Sequence, residues 1–103
     1  MKSFNTLEQT VIDGCKTYRP INVNGYEVTG YPVALFVYKR GDGIWSVTEA
    51  KSGFMIAAGK TRRDALTVLS EKTANYTAKQ WNDAVENAMI FASSRGYING
   101  PIN

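Results

Sequence analysis

Nine carboxylates, one cysteine and no histidine are what this chain offers for acid–base or nucleophilic chemistry. Histidine is the side chain whose ordinary pKa lies nearest neutrality, so its absence removes Ser-His-Asp and Cys-His catalysis and most zinc sites. Glycoside cleavage needs two carboxylates facing one pocket. The neighbouring pair Asp83 and Glu86 reads instead as a helix surface with Lys79 a turn before it, an ordinary solvated face. Cys15 falls on an apolar stripe with no electropositive neighbour, where a thiol behaves as a small hydrophobe. No set of residues has the spacing of a metal site, and no motif asks for a cofactor.

Gly59-Lys60-Thr61 resembles the end of a phosphate-binding loop. Such a loop needs a glycine five positions earlier, where this chain has Phe54; Gly53 lies one residue too far away. The glycine is better read as a corner between a strand and a helix that Thr61 caps. The chain is therefore expected not to be an enzyme.

The basic residues carry the other chemistry. Net charge is +3 and the isoelectric point is near 9.1. That balance permits acidic partners without demanding them. Two small groups stand out, Lys39-Arg40 and Lys60, Arg62 and Arg63. A single cysteine cannot form an internal disulfide, which favours a reducing compartment. The polar start Met1–Glu8 lacks the apolar core of a signal peptide, and no apolar run nears the roughly 18 residues of a membrane span. A cytoplasmic protein is expected, folded as a single domain over residues 1–103.

The elements that must position these groups follow from periodicity and punctuation. Thr6-Leu7-Glu8-Gln9 reads as a capping box, and Leu7, Val11, Cys15 and Tyr18 recur at helical spacing, which predicts an N-terminal helix ended by Arg19-Pro20. Asn24-Gly25 between two short β-prone runs predicts a short hairpin. Val33–Lys39, Ile44–Glu49 and Phe54–Ala58 read as three strands of an antiparallel meander, joined by Arg40-Gly41-Asp42-Gly43 and Lys51-Ser52-Gly53. Thr61 opens a helix whose buried side holds Ala65, Leu66, Val68 and Leu69. Thr77-Ala78-Lys79-Gln80 boxes a last helix bearing Trp81, Val85, Ala88 and Ala92, with Gly96 as its stop. The expected class is α+β: N-terminal helix, short hairpin, three-stranded meander and two C-terminal helices. Trp45 and Trp81 should be largely buried among Leu35, Val47, Ile56, Leu66, Leu69 and Val85.

One strand is apolar on both faces. Val33, Leu35 and Val37 alternate with Ala34, Phe36 and Tyr38, whereas a sheet covered on one side should show a polar second face. Either the first helix or the hairpin covers that face, or it is an exposed aromatic patch used for binding. On the second reading Phe36, Tyr38, Asp42 and Ile44 are the partner-binding residues, with self-association into a homodimer through the same face left open.

Two resemblances bear on function. A helix, three strands and a Gly-Lys-Thr-Arg-Arg start to the next helix look like the αβββα order of double-stranded RNA-binding domains, which implies phosphate contacts through Lys39, Arg40, Lys60, Arg62 and Arg63. Over residues 44–66 the pattern Trp45-x-Val47-Thr48-Glu49, Ser52-Gly53, Ile56-Ala57, Gly59-x-Thr61, Ala65-Leu66 is similar to small accessory proteins of phages and mobile elements, some anti-CRISPR proteins among them. That resemblance implies a non-enzymatic module that binds, and in the fullest case inhibits, a host defence protein. It transfers no site residue.

Overall fold

The computed structural model describes residues 1–94. The stop expected at Gly96 and the tail beyond it lie outside them. The chain begins not with a helix but with two long strands, β1 (Lys2–Ile12) and β2 (Cys15–Val28). They are followed by β3 (Leu35–Lys39), β4 (Trp45–Glu49) and β5 (Met55–Gly59), then by helices α1 (Arg62–Thr73) and α2 (Ala78–Ser94). The five strands form one antiparallel sheet in the order β1-β2-β3-β4-β5. The expected order, helix first, is thereby corrected: all strands come first and both helices last.

The reason is local. Residues 4–23 hold a high density of β-branched side chains, among them Thr6, Thr10, Val11, Ile12, Thr17, Ile21 and Val23, which prefer the extended backbone. Asp13-Gly14 is the turn between them. Both residues have positive φ, 51° and 79°, the requirement of a two-residue hairpin turn, and Ile12 pairs directly with Cys15. The helical spacing of Leu7, Val11, Cys15 and Tyr18 is coincidental. Cys15 is consequently exposed beside the turn, not buried on a stripe.

Asn24-Gly25 is not a turn either. Gly25 faces Lys2 in the continuous β1–β2 ladder, and only Tyr26, Glu27 and Val28 of β2 pair with β3. Gly25 is needed for close approach: a Cβ there would stand 2.7 Å from the Val37 carbonyl oxygen. Pro20 sits within β2, tolerated because over that stretch β2 has a strand partner on one side only.

The two faces of the meander are covered differently. On one, Leu35, Val37, Val47 and Ala57 pack against Ala65 and Leu69 of α1 and Trp81 of α2. Trp81 is 3% exposed beneath the edges of Tyr31 and Tyr76, whereas Trp45 is only half-buried. The Thr61 hydroxyl accepts from the Asp64 amide at 3.0 Å and caps α1; Thr77 and Gln80 bond reciprocally at the start of α2. On the other face the β1–β2 hairpin folds back over the sheet. Phe4 stacks on Phe36 at 4.3 Å between centroids, with Val23 alongside.

Candidate functional site: a hydroxyl-floored cleft

The hairpin does not seal the second face completely. Between it and strands β3–β5 lies a cleft of about 590 Å³. Strand alternation builds its floor: Ser46 and Thr48 point away from Val47, and Tyr38 away from Val37. All three are buried, and the Ser46 and Thr48 hydroxyls lie 3.2 Å apart. Thr6 of β1 adds a fourth hydroxyl, which donates to the Gly53 carbonyl at 3.1 Å and fastens the hairpin to the β4–β5 turn.

The walls are apolar and aromatic. Leu7, Tyr18, Ile21 and Val23 come from the hairpin, Phe54 from the turn before β5 and Met55 from its first position. Tyr18 meets the Phe54 ring edge-on at 5.7 Å, and Phe54 meets Phe91 of α2 at 5.6 Å. Charges stand only at the rim. Arg40 and Asp42 pair at 2.8 Å, and Arg19 and Glu8 pair at 2.8 Å across the hairpin. The β3–β4 loop that carries the first pair is held by itself: the Asp42 carboxylate accepts from the Ile44 amide at 3.0 Å, and the Arg40 amide donates to the Ile44 carbonyl.

Burial pushes the Tyr38 phenol above its ordinary value. Arg40 and a hydrogen bond with Thr6 act against that shift, while Glu8 and Asp42 reinforce it. The phenol therefore stays neutral and available as a donor throughout the physiological range. A concave site with apolar walls, converging hydroxyls and one perturbed group is the form that binding sites take. The floor supplies hydroxyl donors and acceptors. Among the described residues no group of three or more metal-ligating side chains gathers.

The residues expected from sequence separate. Phe36 is fully buried under Phe4, and Tyr38 is 7% exposed on the cleft floor, so no exposed aromatic patch exists on this face. Asp42 stands exposed on the rim, and Ile44 is half-buried just before β4. The duplex-binding arrangement is absent, because no helix precedes the sheet. Its basic residues are divided as well. Arg40 turns to the cleft side and is paired with Asp42. Lys39 also borders the cleft but lies in register with Trp45 and Gly59, next to Lys60 at the strand ends, and Arg62 and Arg63 lie on the first turn of α1. The contributions of Thr6, Tyr18 and Met55 escaped the sequence reading. The turn signal of Asp13-Gly14 would have found the first two, since it converts the helix into the strands that carry them.

The fold is thus a five-stranded antiparallel sheet whose first two strands fold back as a hairpin over one face of β3–β5, while α1 and Trp81 of α2 pack on the other. No family model, no curated protein and no solved structure matches the chain. Among the described residues no helix is long and apolar enough to cross a membrane.

Proposed function

We propose that the protein is a non-enzymatic binding module that takes a segment of a protein partner into the cleft between its hairpin and its sheet. One observation carries this reading: the only buried hydroxyl cluster among the described residues forms the floor of an open cleft whose walls are aromatic and whose rim is charged. Apolar walls supply affinity, and a few placed polar groups fix orientation. Tyr38 and Asp42 belong to this site, as floor and rim. Inhibition of a host defence protein by a phage or mobile-element product is the finer form of the proposal, and it rests on the resemblance over residues 44–66.

The test places a photo-crosslinking amino acid at Met55, on the cleft wall, and at Val68, exposed on α1, in separate full-length variants. In nuclease-treated host lysate, Met55 should capture one protein that Val68 does not, and Thr48→Lys, which fills the floor with a charge, should abolish the capture. Equal capture at both positions, or capture indifferent to Thr48→Lys in a variant that still melts cooperatively, would sink the cleft as the binding site.

A further inference from the structure

A second region, at the far end of the strands and on the helix-covered face, has a different chemistry. The ladder registers set Lys39, Trp45 and Gly59 side by side across β3, β4 and β5. Lys60 and the first turn of α1 follow at once. From there Arg62 reaches back across the sheet end and lays its guanidinium over the ring of Tyr26, 4.3 Å from the centroid. Tyr26 in turn stands 6.5 Å from Trp45, the two rings tilted by 32°. Tyr26 is 37% exposed and Trp45 half-buried, so both rings reach the surface.

The charges at this corner are unspent. Among the described residues, Lys39, Lys60, Arg62 and Arg63 form no ion pair, in contrast to Arg19, Arg40 and Lys79. Asp64, the nearest carboxylate in sequence, is engaged in the cap of α1 only through its amide and pairs with none of them. The Arg62 guanidinium covers this face of the Tyr26 ring with no carboxylate to fix it, so a base can take its place there while the freed guanidinium turns to a phosphate. Lys39, Lys60 and Arg62, none of them in an ion pair, beside two surface rings thus match both halves of what a nucleotide presents, phosphate charge and a flat base.

We propose that this corner is a binding platform for single-stranded nucleic acid, with Lys39, Lys60 and Arg62 on phosphates and a base stacked at Tyr26 and Trp45. Single strands fit better than duplex, because only unpaired bases expose their faces to aromatic side chains. The platform shares only Lys39 with the lining of the cleft and stands independently of the function proposed for it.

The experiment titrates the full-length protein into a fluorescein-labelled oligothymidylate and follows anisotropy together with tryptophan emission. Trp81 is buried, so quenching reports on Trp45. Binding should weaken with salt at a log–log slope of about −2, as about three neutralised phosphates on a single strand require. Lys39→Ala with Lys60→Ala should remove about two-thirds of that slope. Tyr26→Leu should weaken binding about tenfold and leave the slope unchanged. Trp45→Phe keeps a ring, so anisotropy should persist while the quench disappears. No anisotropy change at low salt would overturn the proposal, as would undiminished binding by Tyr26→Leu. Duplex of equal length bound as tightly would overturn the single-strand assignment. Polyglutamate bound as tightly would overturn it in favour of an acidic protein partner.

Discussion

The two faces of the meander show how one strand sequence can be buried twice by different means. On the helix face the contact is dry: aliphatic side chains of β3, β4 and β5 meet Ala65, Leu69 and Trp81. On the hairpin face Phe36 has a full aromatic partner in Phe4, but the next positions along the strands are hydroxyls, and the cover lifts into a cleft. An apolar face fixes its partner through area alone, and it tolerates no polar atom without a bond. A face floored by hydroxyls gains less from burial, and keeps bonding capacity that a ligand can use. Stability should therefore reside in the first face and recognition in the second.

The largest effect should come from the helix face. Trp81→Ala should lower unfolding free energy by about 3–5 kcal/mol, as aromatic truncation in a core does. Phe4→Ala should lower it by about 1–2 kcal/mol, because Phe4 is half-buried and its loss removes one stacked pair. Hydrogen exchange sharpens the contrast. Phe4→Ala should expose the β1–β2 amides first, whereas Trp81→Ala should accelerate exchange throughout the sheet. Equal losses and uniform exchange in both variants would show that the faces are energetically alike.

A reciprocal pair of near-isosteric changes comes next. Val47→Thr puts a hydroxyl into the dry face and should cost about 1–3 kcal/mol. Thr48→Val removes one from the wet face and should cost about 1 kcal/mol or less, since Ser46 still faces the cleft. Chemical denaturation of the two variants checks the order, and a reversal would break the distinction between the faces.

The smallest effect is confined to alkaline pH. Tyr38 titrates above its ordinary value of 10.0 because burial opposes the phenolate. The neutral form is thus favoured by folding. Its contribution is complete below the unfolded value, and is lost as pH rises through the folded one. Stability should fall above about pH 10, and Tyr38→Phe should reduce that fall while leaving neutral-pH stability little changed. Tyr76→Phe, at an exposed ring, serves as the control. An alkaline profile identical in Tyr38→Phe and the parent would show that the cleft floor is open to water.

What could be read from the residues was local. The capping residues Thr61 and Thr77 with Gln80 announced both helices, and the alternation around Val47 announced β4 and its two faces, since each signal acts over one turn or one pleat. The first 28 residues misled because Leu7, Val11, Cys15 and Tyr18 satisfied helical spacing while the β-branched residues between them favoured strands. Nothing local weighs one signal against the other. The weighing came from pairing, as eleven residues of β1 found partners in β2 around Asp13-Gly14.

The sequence by itself determined that no histidine-based chemistry is available, that β3 is apolar on both faces, and that Lys39, Lys60 and Arg62 are cations. Only the tertiary structure decided which element covers the second face, that Tyr38 becomes a cleft floor rather than a surface patch, and that Arg40 parts from the other cations to pair with Asp42. It also brought Tyr26 under Arg62, residues 36 positions apart. Composition and periodicity act through neighbours in the chain. Burial, ladder register and charge pairing join residues distant along it, and are fixed only when the whole sheet closes.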